Sequence, residues 1–259
     1  MPGEFFFGGI VGTIKGFIMA LGMFTIIPVP KNHWDDRHLA KVMPSLPLAG
    51  LIIGALWFAA AYALRLFAAP HMLSAAAVMF VPFILTGFIH LDGYMDTADA
   101  FFSRRGIDEK KRILKDPHTG AFAVIAVVGL ALFTFAAVFS VFEGEKNLLQ
   151  FILVPAVSRC IAGIFMLNSK PIFETGYHVT FKTGTKPRHT FFICAALAAC
   201  LAAAQFVPCL NLWPLLAAAI AGAAVSAFLI KHFNGMSGDL CGCAITLSEL
   251  AALVCAALI

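Results

Sequence analysis

An uncharged apolar run, GAFAVIAVVGLALFTFAAVFSVF, occupies residues 120–142. A helix that crosses the hydrocarbon core of a bilayer needs about 20 such residues, because each residue advances the helix by about 1.5 Å. The rest of the chain has the same character, with 61% hydrophobic residues, 12% charged residues and a mean hydropathy of +0.90. Soluble domains contain about 25% charged residues. We therefore predict an integral membrane protein.

Apolar runs of similar length recur on both sides of this one. They lie at residues 5–30, 44–69, 71–91, 147–167, 190–211, 212–232 and 238–259. Lys15 lies in the middle of the first run, and a charge at the bilayer centre costs about 2.5–3.5 kcal/mol. That run either spans the membrane or lies in its interface. The pattern predicts an all-α polytopic helical bundle of about 7–8 transmembrane helices, with residues 1–259 forming a single transmembrane domain.

Basic side chains distinguish the two sides of the predicted bundle. Lys and Arg are concentrated in the connections after the first, third, fifth and seventh runs, and they are scarce in the other connections. Short loops rich in Lys and Arg remain in the cytoplasm. We therefore predict cytoplasmic loops near residues 31–43, 92–119, 168–189 and 231–237. The N-terminus lies outside if the first run spans, and inside if that run is interfacial and seven helices remain.

Three aspartates follow the third run directly. Asp92, Asp96 and Asp99 have the spacing i, i+4 and i+7, so in a helix they share one face within about 60°. Like charges on one face repel each other and favour a bound cation, and carboxylate oxygens are the ligands that Mg²⁺ prefers. Gly93 would allow a backbone or a substrate to approach this face closely. The alternative interpretation is a solvated loop face without a ligand.

Polar groups elsewhere in the chain provide further candidate site residues. His90 would act as an acid or base if the helix bends, and Asp116 follows a basic amphipathic segment suited to phosphate or anionic headgroups. Arg159 lies inside an apolar run and requires an anionic partner, either a site carboxylate or a substrate phosphate. Asp239 would be a metal ligand, a substrate ligand or a helix cap. Glu249 lies within the last run and requires a polar partner.

The chain resembles the cobalamin synthase family, also called adenosylcobinamide-GDP ribazoletransferases. The resemblance is most specific in TGFIHLDGYMDTADAFF, residues 86–102, and in the following KKRILKD segment with Gly120. Supporting motifs are IPVP at residues 27–30, PLAGL at 47–51, Ser158-Arg159, and Ser237-Gly238-Asp239 with Glu249. It implies a Mg²⁺-dependent membrane enzyme that joins α-ribazole or its 5′-phosphate to adenosylcobinamide-GDP. The products would be GMP and adenosylcobalamin or its 5′-phosphate.

The resemblance and the residue pattern together give a set of expected roles. We expect a bacterial inner-membrane enzyme with its active site on the cytoplasmic face, surrounded by membrane lipid, without a nucleic-acid partner; a homo-oligomer remains an open alternative. The metal ligands are predicted to be Asp92, Asp96 and Asp99, the proton acceptors His90, Asp99 and Asp116, and the substrate-binding residues Lys115, Arg159, Asn234 and Asp239.

Two other functions fit parts of the sequence. A CDP-alcohol phosphotransferase also uses an Asp-rich DG motif in a membrane, but that family has an Ala-Arg pair soon after its DG, and the pair is absent from DGYMD at residues 92–96. A cation-coupled transporter would instead use Arg159, Asp239 and Glu249 as a pathway near the midplane.

Overall fold

The protein is built from α-helices, as seen in a computed structural model that describes residues 2–207 and 210–259. Two residues of the sixth predicted apolar run, 208 and 209, lie outside the described residues. The helices are α1 Pro2–Phe24, α2 Val42–Leu66, α3 His71–Leu85, α4 Ile89–Phe102, α5 Ile107–Ile113, α6 Ala121–Glu143, α7 Gln150–Asn168, α8 Tyr177–Lys182, α9 Pro187–Phe206, α10 Leu212–Phe233 and α11 Gly238–Leu258, with a 3₁₀ turn at Asp36–Lys41 before α2.

Six helical segments within the described residues are long and apolar enough to cross a membrane. They are α2 with its preceding 3₁₀ turn, α6, α7, α9, α10 and α11. Helices α3 and α4 pass the same test as a pair, so the number rises to seven if that bent pair is one span. The predicted all-α polytopic membrane fold is therefore confirmed.

The four basic segments predicted to be cytoplasmic lie together on one face of the bundle. Lys115 of the second segment lies over the ring of Phe173 in the third, at 4.1 Å from its centroid. The backbone N–H of Met236, in the fourth, donates to the carbonyl of Lys170 at 2.8 Å. Gly184 of the third segment adjoins Ala40 of the first. We call this surface the basic face.

The second half of helix α1, from Gly12 to Phe24, lies along the basic face. Gly12 packs against Lys41 near the start of α2, while beyond the other end of α1 the N–H of Ile26 donates to the carbonyl of Leu85 at 2.9 Å. Lys15 forms an ion pair with Asp35 at 2.9 Å, so its ammonium group is neutralised near the surface. The second half of α1 thus contacts this face. This arrangement supports the interfacial alternative for the first apolar run.

A sharp bend separates α3 from α4. Gly87 and Phe88 both have left-handed backbone conformations, with φ values of 58° and 62°, and the two helices meet at 91°. Glycine tolerates this conformation, whereas a side chain such as that of Phe88 adopts it at a cost. The predicted span 71–91 therefore ends early at Leu85. The predicted loop 92–119 is also corrected, because it contains most of α4 and all of α5.

Two glycines allow α4 to pack closely on α11. A Cβ atom added to Gly93 would lie 2.7 Å from the Cα of Asp239, and one added to Gly242 would lie 3.1 Å from the Cα of His90. Distances this short leave no room for a side chain. The first two turns of α4 are therefore held against the first turns of α11, which positions the aspartates.

Candidate functional site

The three predicted aspartates lie on α4, and the helix required by their spacing is confirmed from Ile89 to Phe102. Asp92 is exposed, whereas Asp96 and Asp99 are half-buried. Electrostatic repulsion connects the carboxylate of Asp96 with those of both Asp92 and Asp99. The spacing therefore gathers negative charge on one side of α4, as the sequence predicted.

A fourth carboxylate comes from the first turn of α11. Asp239 is half-buried, follows the N-cap Ser237 and interacts electrostatically with Asp92 and Asp96. The close approach at Gly93 brings it there, as expected from the glycine within the motif. We call Asp92, Asp96 and Asp239 the carboxylate cluster.

Asp99 is used differently from the other aspartates. Its two oxygens accept hydrogen bonds from the backbone N–H groups of Gly120 at 2.6 Å and Ala123 at 2.9 Å. These N–H groups belong to the start of α6 and have no partner within that helix. Asp99 thus caps α6 from a distant part of the chain, and the cap fixes α6 to α4.

The carboxylate cluster is not paired with basic side chains in the described part of the protein. Within residues 2–207 and 210–259, none of its three members forms a salt bridge. The same residues contain no group of three or more His, Cys, Asp or Glu side chains close enough to hold one metal ion among them. The cluster is therefore a region of uncompensated negative charge. A metal ion bound there would receive few of its ligands from the protein.

His90 lies on α4 but away from the aspartates. Its side chain is buried, its ring stacks on Phe24 with centroids 6.4 Å apart, and its carbonyl accepts a hydrogen bond from Thr246 at 3.3 Å. Arg159 is near enough to act on it electrostatically. These contacts place the imidazole in the interface between α1, α4 and α11.

The anionic partner required by Arg159 is Glu249. The two side chains form a buried ion pair between α7 and α11, and Ser158 donates to the same Glu249 oxygen at 3.0 Å. Arg159 also donates to the carbonyl of Pro155 at 3.2 Å. Both sequence expectations, an anionic partner for Arg159 and a polar partner for Glu249, are confirmed. The partner of the arginine is a carboxylate of the protein itself.

The connection between α5 and α6 carries two exposed site candidates. Lys115 lies over Phe173, so this connection contacts the segment between α7 and α8. The Asp116 carboxylate accepts hydrogen bonds from the backbone N–H of His118 at 3.0 Å and from its ring at 2.7 Å. The hydrogen bond from the ring is the largest contribution that lowers the pKa of Asp116. Asp116 is consequently ionised at neutral pH.

The segment 170–178 was not singled out from the sequence, although it adjoins the carboxylate cluster. Its residues Phe173 and His178 line a pocket of about 180 Å³ together with Met236 and Asp239. Both ring nitrogens of His178 lie within 2.8 Å of backbone carbonyls, of Met236 and Met166. The sequence offered only a polar connection here, without a motif.

Asn234 lies at the turn that leads into this pocket. It ends α10 with a left-handed backbone, φ 56°, and its side chain is exposed. The backbone conformation is one that Asn tolerates better than most residues. The turn continues through Gly235 to Met236, whose carbonyl accepts the N–H of Ile172 at 3.1 Å.

The fold and the site together define a helical membrane protein with a carboxylate cluster at its basic face. The chain matches the model of the family described as cobalamin-5-phosphate synthase over residues 16–257. The chain therefore belongs to the cobalamin-5-phosphate synthase family. This membership decides against both alternatives left by the sequence, the CDP-alcohol phosphotransferase and the cation-coupled transporter.

Curated relatives are similar over nearly their whole length. A protein named adenosylcobinamide-GDP ribazoletransferase from Clostridium perfringens is 38% identical over 93% of this chain and 96% of its own. Proteins of the same name from Clostridium botulinum and Geobacillus thermodenitrificans are 37% and 30% identical, over 94% and 88% of this chain and 97% and 89% of their own. No solved structure matches the chain.

Proposed function

We propose that the protein is a Mg²⁺-dependent adenosylcobinamide-GDP ribazoletransferase that uses the carboxylate cluster at its basic face. Its substrates are adenosylcobinamide-GDP and α-ribazole or the 5′-phosphate of α-ribazole. A ribose hydroxyl attacks the phosphorus on the cobinamide side of the pyrophosphate, a new P–O bond forms, and the bond to GMP breaks. The observation that carries this proposal is the similarity to enzymes of that name over nearly the whole chain.

The carboxylate cluster is suited to Mg²⁺ by its chemistry. Its donors are all oxygens, and no salt bridge among the described residues compensates their mutual repulsion. Mg²⁺ commonly takes only one or two protein carboxylates and completes its shell with water and phosphate oxygens. One or two of Asp92, Asp96 and Asp239 would hold the ion directly, and the remaining charge would attract it; the ion would neutralise charge on the transferring phosphoryl group. Asp239 thereby takes a metal-binding role beside its predicted substrate role.

The remaining candidates divide by their exposure. Of the three predicted proton acceptors, Asp116 has the exposed carboxylate, whereas Asp99 caps α6 and His90 is buried. We assign Asp116 to accept the hydroxyl proton and Lys115 to bind a phosphate, since both are exposed on the connection that leads into α6. Asn234 would bind substrate from the exposed turn that precedes Met236, which lines the pocket with Asp239. Arg159 would contribute indirectly, because its ion pair with Glu249 holds α7 against α11.

The activity is tested by GMP release. The full-length protein in liposomes, given adenosylcobinamide-GDP and α-ribazole, should release one GMP for each corrinoid product formed. Excess EDTA should abolish the release, and added Mg²⁺ should restore it, because the repelling carboxylates require a cation. Full turnover in excess EDTA would contradict the metal requirement, whereas corrinoid uptake without GMP would contradict the reaction itself.

We further propose that the basic face, and with it the active site, lies on the cytoplasmic side of the bacterial inner membrane. The concentration of Lys and Arg in the four segments of this face supports that orientation. Single cysteines at Asp108 and Glu174, in a cysteine-free version of the protein, should resist an impermeant thiol reagent added to intact spheroplasts. A cysteine at Glu145, on the opposite side, should react. The reverse pattern would overturn the orientation.

A further inference from the structure

An apolar groove lies beneath α4, between α10 and α11. Its volume is about 470 Å³, which falls within the roughly 300–1,000 Å³ of typical small-ligand sites. The wall from α4 includes Tyr94 and Phe101, and the opposite walls include Phe228 of α10 and Leu247 of α11. Nearly all of the lining side chains are hydrocarbon or aromatic, so the groove suits an apolar ligand.

The groove is separate from the carboxylate cluster, although both use α4. At about 100° per residue, Tyr94 and Phe101 project from the side of α4 roughly opposite to Asp92 and Asp96. The helix therefore has one acidic side and one apolar side. A ligand in the groove would lie behind the proposed active site, with the full thickness of α4 between them.

The groove opens toward the lipid. Two of its walls are α10 and α11, which are long and apolar enough to cross the membrane. Phe228 and Phe102, at the edge of the groove, are 45% and 49% exposed. Because hydrocarbon surrounds such helices, exposed aromatic rings at this position contact lipid chains rather than water.

Positive charge lies at the end of the groove nearest the basic face. The ammonium nitrogen of Lys110 is 5.4 Å from the ring centroid of Phe101 and 5.6 Å from that of Phe233. The ring of His232 lies 5.5 Å from that of Phe101, and the adjacent Lys231 is exposed in the last turn of α10. Cationic side chains thus stand directly beside apolar walls that descend into the membrane.

We propose that this groove binds one acyl chain of an anionic phospholipid, with the lipid phosphate held by Lys110 and Lys231. The arrangement matches the two parts of such a lipid, since an apolar chain follows the groove and an anionic headgroup meets the cations at its mouth. The proposal is independent of the catalysed reaction. The bound lipid would support α4 from below and so help to hold its acidic side against α11.

Native mass spectrometry of the full chain in detergent tests the site. With chain-matched phosphatidylglycerol and phosphatidylcholine, the protein should retain one phosphatidylglycerol with a clear preference over phosphatidylcholine. Ala224→Trp fills the groove and should weaken phosphatidylglycerol binding about 10-fold or more. Ile220→Trp is the matched control, because residue 220 lies on the same helix, is 67% exposed and does not line the groove. It should bind like the unmodified protein.

The headgroup contact has its own test, which remains decisive if Ala224→Trp does not fold. Lys110→Gln should remove the preference for phosphatidylglycerol, whereas Lys31→Gln, which removes the same charge elsewhere on the basic face, should keep it. Equal binding of the two lipids by the unmodified protein would mean nonspecific surrounding lipid and would overturn the proposal. Displacement of the lipid by α-ribazole would overturn the proposal and assign the groove to substrate. Loss of the lipid on dimerisation would overturn it and assign the groove to a second copy of the chain.

Discussion

Acidic side chains occur in two contrasting settings in this protein. In the carboxylate cluster, Asp96 repels Asp92 and Asp239 at the basic face, and no salt bridge within the described residues compensates them. In the interior, Glu249 is paired with Arg159 and also accepts a hydrogen bond from Ser158. The two settings lie at different depths along α11, because Asp239 is in its first turn and Glu249 is in its second half.

This difference separates charge that is open to the proposed Mg²⁺ ion from charge that is paired within the structure. An isolated buried ion is costly, so Glu249 persists in the interior because its partner comes from the same chain. The carboxylate cluster is partly exposed to water, which lowers the cost of repulsion and leaves the oxygens available to an added cation. Removing one charge should therefore have opposite effects on folding in the two settings.

The largest expected effect is on stability at the interior pair. Arg159→Met leaves Glu249 buried and unpaired, which should lower the free energy of unfolding by about 3–5 kcal/mol. The double variant Arg159→Met with Glu249→Leu should recover most of that loss, since no unpaired charge remains. Thermal unfolding in a mild detergent measures both. If the single variant unfolds at the same temperature as the unmodified protein, Arg159 does not compensate the buried charge of Glu249 and the prediction is wrong.

The carboxylate cluster should respond in activity instead. Asp92→Asn, Asp96→Asn and Asp239→Asn should each reduce GMP release by at least about 10²-fold, equivalent to about 2.7 kcal/mol, because each removes charge that would hold Mg²⁺. Their unfolding temperatures should not fall, since a repulsion is relieved. Asp108→Asn, on the exposed side of α5, is the control and should stay within about 0.5 kcal/mol in stability and near full turnover.

A smaller effect is expected at Asp99. Its carboxylate lies on the acidic side of α4, but it is hydrogen-bonded as a cap of α6. Asp99→Asn should weaken the cap on α6 and lower the free energy of unfolding by about 1–2 kcal/mol, because an amide cannot accept both N–H groups. Turnover should fall less than in Asp96→Asn, with the Mg²⁺ concentration for half-maximal activity unchanged. A large rise in that concentration would restore Asp99 to the metal ligands predicted from the sequence.

Within α4, local spacing was enough to predict the acidic side. Asp92, Asp96 and Asp99 are near in sequence, so the helical period alone places them together. The spacing could not distinguish Asp99 from the others, because its partners Gly120 and Ala123 become available only when α6 packs against α4. The role of Asp99 as a cap is a property of that packing.

The sequence by itself determined the membrane fold, the gathering of the basic loops on one face, the helical acidic motif and the need of Arg159 and Glu249 for partners. Each follows from local physics, since the bilayer demands apolar runs and an intramembrane charge demands compensation. Only the tertiary structure decided that the second half of α1 lies on the basic face, that α3 and α4 meet at 91°, and that Asp239 joins Asp92 and Asp96. Those outcomes depend on close contacts between segments that are distant in sequence, such as the contact of Gly93 with α11. The sequence alone did not predict them, because the helical periodicity of one segment does not specify which segment packs against it.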